Sequence, residues 1–485
     1  MSEKFYINSS IPYANGTMHV GHAIEFFYAD TVARYRKHMG DDVLFVHGID
    51  QHGQKNADVA IALGKTPLEY VNEMGDELEA LLDRLHIYPD DFVRTTQERH
   101  KIAAQKMWQV IAEAGDIEQD EYEGLYCVGC EEFKTEKDLT EDGLCPNHQK
   151  KPEILKEKNY FFRLSRFQDR LLEFYESHPD FIIPKAKYNE MKELVKGGLE
   201  DLSISRDVSK MSWGIPVPGD DTQVMYVWFE ALMNYVTTAG YGQDDEQFAR
   251  LWPTDFRTIG KDINRFHTVV WPAMLMSAGL EPEKQIGVHG FVTVEGQKIS
   301  KTIGNVIDPI ELVEKYGVDT LRYFLLREVA FENDGDFSFS RLEERYSADL
   351  ANGLGNLVSR VTNMVEKYFK GDLESSPREQ DYGNKEKEEY HVHMNQLEFS
   401  RALGVVWSVI DDANEYIEQH QPWELAKSDT QKLKEVLQHL LFALELVADW
   451  LVPFIPDTAQ KLSSILSAEV MAKSEPMFPR LDSEK

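Results

Sequence analysis

The stretch that decides the fold spans residues 4–22 and reads Lys-Phe-Tyr-Ile-Asn-Ser-Ser-Ile-Pro-Tyr-Ala-Asn-Gly-Thr-Met-His-Val-Gly-His. Its first six residues are typical of a buried strand, and a turn follows at residues 15–17. A helix is then predicted over residues 20–38, because apolar side chains recur at helical spacing and Gly40 ends the pattern. A strand, a turn and a helix in this order bring helix amides to a place where they can bind an anion.

The alternation of strands and helices continues along the chain. Residues 43–46 read as a second buried strand, and helical patterns fill most of 54–115. After a cysteine-rich insertion, sheet-like patterns return at 224–228, 258–260 and 286–290, and the C-terminal part is almost entirely helical. We therefore predict an α/β protein with a doubly wound, Rossmann-like parallel sheet that the insertion splits, followed by an all-α helical bundle.

The same changes in pattern give the boundaries of the predicted units. At 485 residues the chain is too long for one ordinary core, and its 42% of hydrophobic residues can bury several. The predicted units are 1–115 and 224–297 for the two halves of the sheet domain, 116–223 for the insertion, 298–340 for a loop and the region after it, and 341–485 for the helical bundle.

The charge of the chain bears on its partners. It has 52 Lys and Arg residues against 84 Asp and Glu residues, which gives a formal net charge of −32. That charge argues against a nucleic-acid partner unless a local basic surface exists, because phosphates are bound by Lys and Arg. No apolar run reaches the roughly 18 residues that a bilayer requires, and the N-terminus leaves no room for a signal peptide. A cytoplasmic protein without membrane contact is expected.

Two short patterns suit a polyphosphate. His19 and His22 lie three residues apart at the predicted helix start, so both rings share one face and can donate hydrogen bonds. Far downstream, Lys298-Ile-Ser-Lys-Thr places Lys298 and Lys301 beside two hydroxyl groups, which suits the growing charge of a leaving pyrophosphate. Taken singly, the first pattern is more often a pair of surface histidines and the second a solvated turn.

All three cysteines lie close together and form part of a candidate metal site. Cys127 and Cys130 form a C-x2-C pair, and Cys145 and His148 form a C-x2-H pair fourteen residues later. Four sulfur and nitrogen ligands match a tetrahedral structural Zn site with no open position. Reduced thiols without metal, or a redox pair, remain the alternatives. The odd number of cysteines does not suggest a disulfide framework.

The two phosphate patterns, in this order and on either side of an insertion, resemble the His-Ile-Gly-His and Lys-Met-Ser-Lys-Ser motifs of class I aminoacyl-tRNA synthetases. The resemblance covers nearly the whole chain and is greatest to methionyl-tRNA synthetase, in the form with a single zinc knuckle. The segments that carry it are 11–22, 48–53, 213–218, 224–232, 260–267, 271–272, 316–323 and 345–352.

The resemblance implies an enzyme that charges tRNA(Met), the initiator included, with methionine. It would form methionyl-adenylate from methionine and Mg-ATP, and then transfer methionine to the terminal adenosine of the tRNA. The implied catalytic residues are His19, His22, Lys298 and Lys301, and the implied ATP-binding residues are His19, Gly21, His22, Asp262 and Lys301. The implied methionine-binding residues are Ile11, Tyr13, Asp50, Trp228, Ala231, Leu232, Tyr235, Ile263, Phe266 and His267, with Asp50 holding the ammonium group.

The resemblance also assigns the remaining units. The insertion would carry the zinc knuckle near the acceptor end of the tRNA, 298–340 would contact its stem, and 341–485 would bind its anticodon. The implied anticodon contacts are Asn356, Arg360 and Trp423, although Trp423 reads almost equally well as a packed core residue. A monomer is expected. The sequence departs from the family pattern at Ile299 and Thr302 in the lysine motif, and at Ile49, Gln51 and Glu230.

Three other functions are compatible with parts of the sequence. A catalytically inactive, RNA-binding relative would usually lack a phosphate-site residue, whereas His19, His22 and Lys301 are all present. A class I synthetase for another apolar amino acid is the second alternative, although the insertion is too small for the large separate editing domain of the isoleucine, leucine and valine enzymes. A nucleotidyl transferase that makes a nucleotide cofactor would be much shorter and would lack the helical bundle.

Overall fold

The structure, a computed structural model, describes residues 3–127, 132–134, 136–146, 149–299, 304–377 and 381–479. The first part of the chain alternates strands and helices, and the helix predicted over residues 20–38 is confirmed. The elements are β1 (Lys4–Ser9), α1 (Val20–His38), β2 (Asp42–Ile49), α2 (Gln54–Ala62), α3 (Pro67–Arg84), β3 (Asp91–Arg94) and α4 (Glu98–Glu113).

The segment predicted as an insertion consists mainly of antiparallel strands. Its elements are β4 (Ile117–Cys127), β5 (Glu132–Lys134), β6 (Glu153–Phe162), α5 (Gln168–Ser177), β7 (Ile182–Ile183), α6 (Lys185–Lys196), β8 (Leu202–Ser203), β9 (Ser205–Asp207), β10 (Pro216–Val217) and β11 (Asp220–Met225). One sheet has the order β5-β4-β6-β8 and another β10-β11-β9. The short strand β7 belongs to neither sheet.

The chain then returns to the central sheet. The next elements are α7 (Val227–Ala231), α8 (Asn234–Thr237), α9 (Asp245–Leu251), β12 (Phe256–Gly260), α10 (Trp271–Ser277), β13 (Ile286–His289), β14 (Val292–Val294) and β15 (Gln297–Lys298). The strands predicted at 258–260 and 286–290 are confirmed as β12 and β13. The pattern at 224–228 divides instead: β11 ends at Met225, and α7 begins at Val227 and brings Trp228 to a cavity.

The central sheet is parallel and has the order β3-β2-β1-β12-β13-β7. The strand order reverses between β1 and β12, where Ser9 is paired with Thr258. In a doubly wound sheet the crevice beyond the carboxyl ends of the strands at such a reversal is the usual ligand site. The predicted Rossmann-like fold class is confirmed, and β7, from the middle of the predicted insertion, forms one edge of this sheet.

The rest of the chain is helical apart from one short strand. The elements are α11 (Pro309–Tyr316), α12 (Val318–Glu328), β16 (Gly335–Phe337), α13 (Phe339–Arg345), α14 (Asn356–Phe369), α15 (Asn384–Asn395), α16 (Phe399–His420), α17 (Pro422–Ser428), α18 (Thr430–Leu451) and α19 (Pro456–Leu466). Strand β16 pairs with β14. Within the described residues, no helix has the length and apolar character needed to cross a membrane.

A buried ion pair joins the first helix of the sheet domain to the helical bundle. The guanidinium of Arg322 on α12 lies 2.7 Å from the carboxylate of Asp30 on α1, and both side chains are buried. Arg322 also donates to the carbonyls of Pro453 and Phe454, at 3.1 and 2.7 Å. Because one hydrophobic core extends from α1 through α12 to α16 and α18, these charges lie inside the junction of the two domains.

Asp30→Asn is therefore expected to destabilise the protein strongly. The substitution leaves the Arg322 charge buried without its counter-ion, which typically costs about 3–5 kcal/mol. Urea unfolding of the two proteins measures the change. Glu314→Gln is the matched control, because Glu314 and Arg84 form an exposed pair whose loss costs about 1 kcal/mol or less. Equal losses in the two variants would contradict the prediction.

Candidate active site

A cavity of about 650 Å³ lies at the carboxyl edge of the central sheet, next to the strand reversal. Segments that follow β1, β2, β12 and β13 form it together with the start of α1 and the helices α7 and α8. Most residues predicted to bind substrates line this one cavity: Ile11, Tyr13, His19, Gly21, His22, Asp50, Trp228, Ala231, Leu232, Tyr235, Asp262, Ile263, Phe266, His267 and Lys298. Lys301 lies outside the described residues.

The two histidines at the start of α1 are held by backbone amides. The Nδ1 atom of His19 accepts a hydrogen bond from the amide of Gly21, and Nδ1 of His22 accepts one from the amide of His19, both at 3.1 Å. An accepting Nδ1 carries no hydrogen, so Nε2 is the protonated nitrogen of each ring. Burial and the neighbouring His19 lower the pKa of His22 to about 3. His22 is therefore a neutral hydrogen-bond donor at physiological pH.

Gly21 allows the close packing of this helix start. A Cβ atom at this position would lie 2.9 Å from Cε1 and 3.0 Å from Nδ1 of His19, and 3.4 Å from the side chain of Ile299. The first separation is shorter than real Cβ contacts and the second is tight, so a larger residue would displace the His19 ring. Gly21 therefore preserves the position of the His19 ring in the cavity.

The other half of the cavity is aromatic. The rings of Trp228 and Phe266 are stacked, with centroids 4.3 Å apart and planes 9° apart. Phe266 and His267 belong to a π-helical turn at 266–270, an irregular helix form that is frequent at functional sites. Burial, followed by the charge of Arg257, lowers the pKa of His267 to about 3. His267 donates from Nδ1 to the carbonyl of Ile263 at 3.0 Å, so the Tyr235 hydroxyl, 2.7 Å from Nε2, donates to this neutral ring.

A carboxylate lies between the two halves. Asp50 follows β2, and its backbone donates to the carbonyl of Pro12 at 2.9 Å and accepts from the amide of Ala14 at 2.8 Å. These bonds extend the pairing of β1 and β2 by one bridge, between Tyr13 and Asp50. The Asp50 side chain is buried and lines the cavity. A buried carboxylate beside aromatic rings is suited to bind an ammonium group attached to an apolar side chain.

Two ionisable residues that form a pair, Glu25 and His289, are among the lining residues that were not predicted from the sequence. Glu25 on α1 and His289 at the end of β13 line the cavity, and His289 Nε2 lies 3.4 Å from Glu25 Oε2. Burial lowers the pKa of His289, but Glu25 outweighs burial and raises it. The pKa of Asp262 is raised, mainly by burial and then by Glu25. Glu25 could have been found in the sequence, since it lies three residues after His22 on the same helix face.

Two of the predicted metal ligands, Cys127 and Cys145, are described, and neither lines this cavity. Cys127 ends β4, Cys145 lies in the loop before β6, and both thiols are buried. Cys130 and His148 fall outside the described residues, so half of the predicted ligand set is not described. Over the part of the chain that is described, no three His, Cys, Asp or Glu side chains are grouped as a metal site.

The predicted anticodon residues lie on the helical bundle. Asn356 is exposed at the start of α14, and Arg360 on the same helix donates to Glu418 on α16 at 2.6 Å. Trp423 on α17 is 37% exposed, so its ring is not enclosed in the core. This exposure favours a contact residue over the alternative of a packed core residue.

Family models match nearly the whole chain. The model described as "tRNA synthetases class I (M)" matches residues 5–151 and 141–362. The model described as "Anticodon binding domain of methionyl tRNA ligase" matches residues 376–482. The boundary between the two models falls in the helical part of the chain, after α14 begins.

Known proteins are similar to this chain in sequence and in structure. Methionine–tRNA ligase of Thermotoga maritima is 42% identical over 483 residues, which are 97% of this chain and 76% of that protein. The enzyme of Caldanaerobacter subterraneus is 42% identical over 513 residues, covering 100% of this chain and 80% of the relative. Mycobacterium tuberculosis methionyl-tRNA synthetase in complex with methionyl-adenylate superposes with a TM-score of 0.91 at 37% identity, covering 99% of this chain and 100% of that chain.

Protonation of His267 is expected to weaken the fold in acid. A histidine whose pKa falls from 6.5 to about 3 on folding contributes stability above pH 6.5, and this stability is lost progressively as the pH falls towards 3. Between pH 6.5 and 5, the free energy of unfolding should therefore decrease by roughly 1–2 kcal/mol less in His267→Gln than in wild type.

Urea unfolding of wild type and variant over this pH range tests the expectation. His178→Gln is the control, because His178 is an exposed histidine at the end of α5. Parallel pH profiles for wild type and His267→Gln would count against a neutral, buried His267.

Proposed function

The chain belongs to the class I methionyl-tRNA synthetases, and we propose that the cavity at the strand reversal is the site where it forms methionyl-adenylate. The protein charges tRNA(Met) in two steps, first making the adenylate from methionine and ATP and then transferring methionine to the terminal adenosine of the tRNA. The observation that carries the site assignment is that one cavity joins the histidines of α1 to a buried carboxylate and a stacked aromatic pair.

In the proposed first step, a carboxylate oxygen of methionine attacks the α-phosphorus of ATP and pyrophosphate leaves. No protein nucleophile is needed, so catalysis consists of alignment and stabilisation of charge. His19 and His22 donate from Nε2 to phosphate oxygens, and the amides of Gly21 and His19 hold the two rings by their Nδ1 atoms. Lys298 lines the same cavity and, with Lys301, would neutralise the leaving pyrophosphate. Mg bound to the phosphates would supply further positive charge.

Asp262 and the residues beside it would complete the ATP site. Asp262 lines the cavity just after the end of β12. Its carboxylate can accept hydrogen bonds from nucleotide hydroxyl groups. Glu25 and His289 form a pair in the same cavity, and the charge of Glu25 contributes to the raised pKa of Asp262. We include them with Asp262 as residues of the nucleotide half.

The aromatic half of the cavity would bind methionine. Asp50 pairs with the ammonium group, and Trp228 and Phe266 pack against the side chain. A thioether gains roughly 0.3–1.5 kcal/mol from each aromatic contact, so stacked rings favour methionine over a purely aliphatic chain. Ile11, Tyr13, Ala231, Leu232, Tyr235, Ile263 and His267 complete the lining.

We also propose a structural Zn site in the antiparallel region. The donor set of Cys127, Cys130, Cys145 and His148 suits tetrahedral Zn, and the two thiols that the structure describes are buried, as metal-bound thiolates usually are. Zn would fix the loop segments around β5 without taking part in the reaction, because four protein ligands leave no open position.

The helical bundle would read the anticodon. Asn356, Arg360 and the exposed ring of Trp423 provide a polar group, a guanidinium and a stacking surface for unstacked bases. This part of the proposal is supported by the anticodon-domain model that matches residues 376–482, within which Trp423 falls. We expect a cytosolic monomer that recognises elongator and initiator tRNA(Met) alike.

Methionine-dependent exchange of labelled pyrophosphate into ATP tests the adenylation site. His22→Asn removes the Nε2 donor and should lower the exchange kcat by about 10²–10³-fold with little change in the KM for methionine. His22→Gln retains a donor at the position of Nε2 and should recover part of the rate. Exchange with leucine or cysteine but not with methionine would contradict the substrate assignment, and no exchange with any amino acid would favour an inactive RNA-binding relative.

Metal analysis of the purified protein tests the Zn site. One Zn per chain is expected, and Cys127→Ser or Cys145→Ser should lower this content and the thermal midpoint, because a structural metal contributes directly to folding. Pyrophosphate exchange should fall less than charging of tRNA, since neither Cys127 nor Cys145 lines the cavity. A wild-type protein without Zn, whose stability is unchanged by chelator, would exclude the site.

A further inference from the structure

A buried charge network lies directly behind the proposed methionine site. Glu230 on α7 is fully buried, and its carboxylate accepts hydrogen bonds from two histidines. Nδ1 of His52 lies 3.1 Å from one oxygen, and Nε2 of His100 lies 2.8 Å from the other. His52 and His100 are buried as well, and they belong to the segment after β2 and to α4. One carboxylate thus connects three elements that are far apart in the sequence.

The hydrogen bonds determine where the protons are. The hydroxyl of Thr237 donates its one hydrogen to the carbonyl of Met233 at 2.7 Å, so its oxygen accepts from Nδ1 of His100 at 3.3 Å. Nε2 of His100 lies on the opposite side of the ring and donates to Glu230. Burial raises the pKa of Glu230, but the two histidines outweigh burial and lower it. The carboxylate is therefore the acceptor in both bonds.

The network joins two segments that line the amino-acid half of the cavity. Helix α7 turns Glu230 inward and presents Trp228 and Ala231 to the cavity. His52 lies two residues after Asp50, which lines the same cavity. The bond between Glu230 and His52 therefore fixes the separation of a carboxylate and an aromatic ring that would both contact one amino acid. The phosphate half of the cavity is formed around the start of α1. None of the described hydrogen bonds of the Glu230 network involves a residue of α1.

We propose that Glu230 is a positioning residue for the amino-acid substrate, which it serves by holding Asp50 and Trp228 at the spacing that methionine requires. The inference rests on the proposed function, since it takes methionine as the occupant of the aromatic half. A displacement of about 1 Å in such a site can change activity by 10²-fold. Loss of the network should therefore weaken methionine binding and leave ATP binding nearly unchanged.

The test compares KM values for the two substrates in pyrophosphate exchange, with wild type, Glu230→Gln, His100→Asn and His100→Gln. Glu230→Gln removes the charge at constant shape, and His100→Asn removes the Nε2 donor. Both should raise the KM for methionine roughly 10- to 100-fold and change the KM for ATP less than about threefold. His100→Gln keeps a donor at the position of Nε2 and should lie between His100→Asn and wild type.

Asp30→Asn is the control for a purely structural effect. It breaks an equally buried ion pair, on α1 and α12, and should lower stability without changing the KM for methionine. Equal rises in both KM values, or a methionine KM within about twofold of wild type in Glu230→Gln and His100→Asn, would overturn the proposal. If Glu230→Gln does not fold, the two His100 variants decide the question. Wild type without methionine-dependent exchange would instead count against the proposed function.

Discussion

The parallel pairing of β1 with β12 is the constraint on which the active site depends. This pairing aligns Ile7 with Phe256 and Ser9 with Thr258, so segments about 250 residues apart end at the same edge of the sheet. Parallel strands must be connected through helices on the faces of the sheet. The chain therefore leaves the carboxyl edge in opposite directions after β1 and after β12, and a crevice opens between these two segments. The α1 histidines enter the crevice from one strand, and the residues after β12 enter it from the other. A long insertion is tolerated because it does not interrupt the pairing.

Burial, more than nearby charge, sets the chemistry of the histidines in this crevice. Removal from water is the largest cause of the low pKa of both His22 and His267. In each of these two rings, Nδ1 is hydrogen-bonded to a backbone group: the amide of His19 for His22, and the carbonyl of Ile263 for His267. The tautomer of each ring is therefore determined before a substrate binds. Neutral imidazoles can donate to phosphate without the desolvation cost of a buried cation. Under the proposed function, the full positive charges near the phosphates would be those of Lys298, which lines the cavity, and of the metal ion bound to the nucleotide.

The sequence predicts the fold class and most of the cavity, because both depend on local patterns at strand ends. Helix α1 and strands β12 and β13 follow from apolar periodicity, and the residues at their ends share an edge by geometry alone. Periodicity is less informative where the chain changes direction: residues 224–228 contain both the end of a strand and the start of a helix. The Glu230 network was not predictable, since His52 and His100 lie 178 and 130 residues before it in the chain.

Three of the departures from the family pattern, at Ile49, Gln51 and Glu230, are fully buried and do not line the cavity, whereas Ile299 does line it. Gln51 is fully buried, and its amide nitrogen donates to the carbonyl of Val71 at 2.6 Å while its oxygen accepts from Thr96 at 2.6 Å. An ionised acid at this position could not donate to Val71 and would add a buried negative charge. Glu230, in place of a shorter acid, has the reach to bond both histidines. The buried acid behind the lining is therefore Glu230 on α7, which His52 and His100 bond, and the described side chains predicted to bind methionine line the cavity.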